Sequence, residues 1–289
     1  MSTRRNFLKQ SSLMAAGIMA GNAEWFRAST PIGVQLYTLR NDIGKDPKGT
    51  LAKVAQIGYK RVETFGYANR KWFGLSASEL AEELKKNGLT SPGGHTFPGG
   101  FFLKDGWEDT WKTAVEDSKA IGQEFIVVPW VEPELRSKAD NFKKIADALN
   151  KAAGICKDAS MKLAYHNHDF EFATVEGQRG FDILTKNTDP KAVHFEIDLY
   201  WAIKAGQDPI ALFKQFPGRF AMWHVKDMDN TDKKFFTEVG NGTIDFKKIF
   251  EHAKESGMKY FFVEQDVCPG SPFDSIAKSY TYIDKNLIK

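Results

Sequence analysis

The sequence predicts an α/β fold, a single (β/α)8 TIM barrel, from three observations. Short runs rich in β-branched and aromatic residues alternate with helix-length segments along the chain; eight strand-and-helix pairs can be counted; and they occupy residues 24–289, close to the roughly 250 residues such a barrel takes. A doubly wound open sheet would show the same alternation, but no Gly-x-Gly-x-x-Gly follows the first strand. No linker, low-complexity tract or charge block divides residues 24–289, which read as one domain.

Each element has a local reason. Ile32–Leu36 is the first strand, and Pro47 opens a helix that stops at Gly58. Lys60–Phe65 is the second strand. Ser76 and Glu79 form a capping box for a helix to Asn87, closed by Gly88. Leu89–His95 is a third, weaker strand ending in a Pro/Gly-rich loop. A helix over Trp107–Ile121 leads to Glu124–Trp130, a nearly continuous apolar strand of the kind buried on both faces. A long helix over Lys138–Ala159 precedes the fifth strand, which begins at Leu163. Arg179–Lys186 is helical and Ala192–Asp198 is the sixth strand. Pro209 opens the next helix, to Phe216, before the seventh strand over Arg219–Val225. An amphipathic helix over Asp245–Ser256 stops at Gly257, Lys259–Glu264 is the eighth strand, and Phe273–Asn286 is the closing helix.

The first residues read differently. Arg4 and Arg5, followed by Phe7-Leu8-Lys9 and a short uncharged run from Ser11 to Ala20, have the pattern of a twin-arginine export signal cleaved near Ala23. The run is too short to span a bilayer, which takes roughly 20 apolar residues, so no stable membrane anchor is expected, and the location expected is the periplasm. Removing residues 1–23 takes away Arg4, Arg5 and Lys9 and no acid, which brings the formal charge from +3 to zero. A neutral protein lacks the basic face that phosphates demand, which speaks against a nucleic-acid partner and against a nuclease. Cys156 and Cys268 are too far apart in sequence for a zinc knuckle and read as free thiols.

A barrel gathers its chemistry at the carboxyl ends of its strands. Those ends carry Glu63, His95, Trp130, His166 and His168, Asp198, His224 and Lys226, and Glu264 and Asp266. Period-two alternation puts His166 and His168 on one face of the fifth strand. Strands five to eight each end in a possible ligand, and the mixed oxygen and nitrogen set suits one divalent ion, manganese, cobalt, magnesium or zinc. His194 and Glu196 share the face of Asp198 but lie deeper, as an interior polar network. Glu63 reads as a residue that orients a ligand. Glu171 reads as a loop acid or as a substitute carboxylate. Trp130 and Trp201 are placed to floor a sugar pocket, since aromatic rings stack on the apolar faces of sugars.

The stretches Asp198-Leu-Tyr-Trp201, Trp223-His-Val-Lys-Asp227, Gly240-Asn-Gly-Thr-Ile-Asp245 and Phe262-Val-Glu-Gln-Asp266 resemble the sugar isomerase/epimerase family of xylose isomerase-like barrels, and the resemblance extends from Gly33 to Ile283. It implies a divalent metal held on strands five to eight, with Asp198, His224 and Glu264 matching the second, third and fourth ligands. The first ligand, a glutamate in the family, is replaced by His166. The activity expected is isomerisation or epimerisation of a keto-sugar or keto-glycoside, by proton abstraction next to the carbonyl with the enediolate stabilised by the metal, and the expected export makes the substrate a non-phosphorylated one. Glu264 is the expected base, His166 or His168 the partner acid, and Lys226 and His95 assist, with Lys226, His95, Trp130 and Trp201 touching substrate. With one carboxylate gone, a 3-keto-glycoside lyase or hydratase is the alternative. A non-catalytic sugar-binding barrel is an alternative of another class. The expected partner is a small sugar, and a homo-oligomer is compatible with the sequence.

Overall fold

The computed structural model describes residues 30–288; the expected signal at 1–23 lies outside the described residues. The barrel strands are β1 (Gly33–Gln35), β2 (Arg61–Thr64), β3 (Thr90–His95), β4 (Phe125–Val128), β5 (Lys162–His166), β6 (Val193–Asp198), β7 (Met222–Val225) and β8 (Tyr260–Val263). Each pairs in parallel with its sequence neighbours, and β1 pairs with both β2 and β8, closing the barrel. Among the described residues no helix is long and apolar enough to cross a membrane.

The local signals work as sequence chemistry dictates. Asp46 caps the helix Pro47–Ile57 by accepting from the Gly49 amide, and Ser76 and Glu79 close a reciprocal capping box on Ala77–Lys86. The long helix Ala139–Asp158 buries Phe142, Ile145, Leu149 and Ala153 on one stripe. Two differences from expectation matter. The segment Asp245–Ser256 is two short helices, Phe246–Phe250 and Ala253–Ser256, with Asp245 capping the first. Six residues after β6, Leu199–Lys204, form a helix that the loop-like spacing before Pro209 concealed, and Asp198 is its N-cap, accepting from the Trp201 amide at 2.9 Å.

Alternation along the strands divides the barrel interior into layers. The lower layer is apolar: Phe125, Val127, Ala164, Met222 and Phe262 pack together, with Tyr260 beneath. Room for this plug comes from two glycines. A methyl at Gly33 would meet the Phe262 ring and one at Gly93 would meet the Met222 thioether, so β1 and β3 carry no side chain there. The next residues inward along the same strands are polar, and they build the site.

Candidate active site and metal centre

The registers set the polar layers. Gln35 lies beside Glu63, His166 beside Glu196, and Asp198 beside His224. Parallel neighbours point the same way, so each pair presents adjacent groups to the barrel axis. Glu196 accepts from two imidazoles, His95 Nε2 at 2.7 Å and His166 Nδ1 at 3.0 Å, and lies 3.2 Å from a third, His224 Nε2. Glu63 takes His224 Nε2 at 2.6 Å and the Gln35 amide at 2.7 Å. The His95 ring stacks on that of His224, 5.3 Å between centroids.

These carboxylates hold the lower nitrogens of two rings and aim the upper ones. His166 Nε2 then lies 3.8 Å from Asp198 Oδ2, and His224 Nδ1 lies 4.0 Å from Asp198 Oδ2 and 2.9 Å from Glu264 Oε2. Carboxylate support of the far nitrogen is how proteins orient histidines toward a metal. Donors about 3–4 Å apart are spaced as ligands each about 2 Å from a shared ion must be. Asp198 Oδ2 makes no hydrogen bond, although the Lys226 ammonium lies 2.9 Å away. The donor set and its burial fit a divalent ion. Two overlapping groups come close enough to hold one among the described residues: Asp198, His224 and Glu264, and, a layer deeper, His95, His166, Glu196 and His224. Of the four expected ligands the structure groups three, and His166 falls in the deeper group, which shares His224 with the upper one and brings His166 Nε2 to 3.8 Å from Asp198.

Lys226 crowns the layer. Its ammonium meets Asp198 at 2.9 Å, Glu264 at 2.7 Å and Asp266 at 2.7 Å. Burial works against its charge, but the three carboxylates overcome that and hold its pKa well above the ordinary lysine value. Burial likewise opposes ionisation of Glu264, and Lys226 and His224 hold it ionised, well below the usual carboxylate range. Burial raises Asp198 to about 6, partly offset by Lys226 and His224. Burial also pushes Glu63 up to about 7, with Glu196 adding to the rise. Burial opposes charge on His224, but Glu196, Glu264 and Glu63 lift its pKa well above the ordinary value.

Neither His166 nor His168 favours the proton that the expected partner acid must carry. Burial, helped by the charge of His224, pulls His166 down to about 3. Burial, then His166 and Lys226, pull His168 well below the ordinary value. Both rings favour the neutral form, in which one nitrogen donates and the other accepts, and on His166 the donor is Nδ1, toward Glu196. The strand stops at His166, so His168 sits above it on the following loop, its ring 5.0 Å from that of His166. Glu171 is neither a solvated loop acid nor a substitute carboxylate: it is buried and accepts from Tyr165 Oη and the His168 amide, both at 2.7 Å, fixing this loop from below.

His95 faces the layer as expected, but its Nε2 is committed to Glu196. Trp201 stands by the site with its ring 5.8 Å from the Lys226 ammonium. Trp130 lies further out, 36% exposed, with Arg136 against its ring. His194 is at the lower end of the interior, edge-on to Phe125. Sequence reasoning gave too little weight to Glu196, the hub of three imidazoles, and to Asp266. The signal was two-residue spacing, of Glu196 from Asp198 along β6 and of Asp266 from Glu264 just past β8.

Comparison with known proteins places this geometry. A family model for xylose isomerase-like TIM barrels matches residues 51–281. Among curated proteins, the inosose dehydratase of Geobacillus kaustophilus (strain HTA426) is 30% identical over 163 residues, covering 50% of this chain and 52% of that protein. The inosose dehydratase of Clostridium perfringens (strain 13 / Type A) is 23% identical over 299 residues, covering 89% and 98%. The first of these relatives, from Lacticaseibacillus casei, is matched over 55% of its length, so the chain spans about half of several curated relatives. A crystal structure of a sugar phosphate isomerase/epimerase from Parabacteroides distasonis ATCC 8503 superposes with a TM-score of 0.78 at 26% identity, covering 90% of this chain and 96% of that one. The IolI protein with a bound zinc atom superposes with a TM-score of 0.68 at 18% identity, covering 88% and 97%, a likeness of fold. The chain belongs to the xylose isomerase-like TIM barrel family.

Proposed function

We propose that the chain is a lyase acting on a keto-cyclitol or keto-glycoside, removing a β-substituent, water or an alcohol, from beside a ketone. The observation that carries this reading is the unlikeness of the two halves of the site. The carboxylates of the upper layer, Asp198 and Glu264 buried and Asp266 half-buried, all come from β6 and the loop after β8 and cluster round Lys226, whereas the groups on the β3 and β5 side are the imidazoles His95, His166 and His168. An epimerase needs a base on each face of one carbon; an elimination needs a base and a proton donor that differ. The names of the curated relatives, inosose dehydratases, support the same choice.

The residues divide the work as follows. Glu264 engages His224 and Lys226 through Oε2, which leaves Oε1 to take the proton from the carbon beside the carbonyl. The electron pair of that carbon–hydrogen bond forms the new carbon–carbon double bond, and the carbon–oxygen bond at the next carbon breaks. Lys226, kept protonated by its three carboxylates, donates to the departing oxygen, which leaves as water or alcohol. Asp198, His224 and Glu264, with His166 beside them, would hold a divalent ion, which supplies a Lewis acid for the carbonyl oxygen.

Isomerisation or epimerisation is the second reading, favoured by the names of the solved neighbours. Incubation with inosose and with 3-keto-glucosides in deuterated water separates the two. Elimination gives an unsaturated ketone, seen by its ultraviolet absorbance, with loss of water or release of the alcohol. Deuterium in recovered ketone, with an epimer and no released group, would defeat the lyase reading. Binding without exchange would leave a sugar-binding barrel.

A further inference from the structure

An aromatic arc leads from the site to the rim. Trp201 lies 5.6 Å from His168 between ring centroids, His168 stacks on Phe170 at 5.7 Å, and the Arg136 guanidinium sits 3.5 Å over the Phe170 ring and 5.4 Å from that of Trp130. The inner end touches the chemistry, through the 5.0 Å contact of His168 with His166 and the Lys226 ammonium 5.8 Å from Trp201. The outer end, Trp130, is 36% exposed.

Two buried polar atoms in this wall have no protein partner, His168 Nδ1 and the Trp201 indole nitrogen. A buried polar group left without a partner is destabilising, so such groups call for a ligand that supplies the missing partner. A hydrocarbon or a flat protein face would leave both unpaired. A hydroxylated ring satisfies them and lays its apolar face on the aromatic rings.

We propose that the arc from Trp201 to Trp130 is a subsite for the second ring of a glycosidic substrate, so that the natural substrate is a keto-glycoside carrying a hydroxylated ring rather than a single-ring ketone. The inference rests on the lyase reading above, whose departing alcohol would occupy this arc. A second copy of this chain seated there would block the way to Lys226, whereas a two-ring substrate uses both regions at once.

Calorimetric titration tests it in the Glu264→Gln protein, which keeps the arc and spares the ligand from turnover. The ligands are 3-keto-glucose, a 3-keto-glucosyl disaccharide, a hydroxyphenyl 3-keto-glucoside and an alkyl 3-keto-glucoside. At least one of the two ring-bearing ligands is expected to bind about tenfold tighter than 3-keto-glucose, and which one does identifies the ring as sugar or phenol. The gain should fall severalfold when Trp201→Phe, which keeps the ring and removes the N–H, or Trp130→Ala is added. Thermal unfolding of each variant verifies that it is folded. Equal binding of one-ring and two-ring ligands, an equal gain from the alkyl glycoside, or a gain indifferent to both tryptophan changes overturns the proposal. Failure of the wild type to eliminate would defeat the lyase reading and leave this ratio unaffected.

Discussion

The lower and upper halves of the barrel interior are made by the same strands with the same alternation, yet they have opposite chemistry. On β7, Met222 and His224 are consecutive inward residues; on β8 and the residue just past it, Phe262 and Glu264 are; on β5, Ala164 and His166 are. The lower residues fill space without polar atoms. The upper ones bury several acids, three imidazoles and an ammonium within hydrogen-bond distance of one another. Burying such groups costs stability unless each is paired, and the buried apolar plug beneath them supplies apolar burial to offset it. The lesson is a division of labour within a single strand: two residues of translation separate packing from chemistry.

Substitutions can break that comparison at either level. Phe262→Ala is expected to cost about 3–5 kcal/mol, read as a lowered midpoint of denaturant unfolding, because the ring fills the space that Gly33 leaves open. Glu264→Gln should leave the fold in place and lower turnover by about 10²–10⁴-fold, measured on whichever ketone proves to be the substrate. An effect on stability as large as that of Phe262→Ala would show that the two layers are not separable. Addition of a divalent ion at about a hundred times its Kd should raise stability by ~2.7 kcal/mol, followed by thermal unfolding with and without chelator. Asp198→Asn should remove most of that rise, and an unchanged rise would place the ion elsewhere.

The smallest effect is expected at the base of the barrel, where Glu124 meets Lys162, Lys259 and Tyr260. Burial opposes its charge, but these partners hold its pKa down to about 2 from 4.5. A depressed carboxyl contributes stability above its unfolded value and loses it as pH falls. Stability should therefore decline between about pH 4.5 and 2 in part through this group. Glu124→Gln should flatten the decline in urea unfolding across that range, and an unaltered slope would exclude its contribution.

The eight strands were legible because each is a short apolar or alternating run bounded by Gly, Pro or a cap, and capping at Asp46 and Ser76 depends on neighbours a few residues away. The helix Leu199–Lys204 was missed because six residues carry too little period to read, and because Asp198, its cap, was read for its place as a ligand. Asp198, His224 and Glu264 were found from their places at strand ends, and the structure does bring them together. The states of His166 and His168 were not legible. An imidazole titrates near neutrality in water, and only the number of charges and the depth of protein around it decide otherwise.

By itself the sequence determined the barrel, the order of its strands and which residues face inward, since period-two alternation and local caps are properties of neighbouring residues. Tertiary structure alone decided that Glu196 would sit among three imidazoles from β3, β5 and β7, that Glu63 from β2 would hold His224 across the barrel, and that Lys226 would gather three carboxylates. The reason is closure: strand register and shear set which inward side chains share a layer, and electrostatic character depends on distances of about 3 Å between groups far apart along the chain.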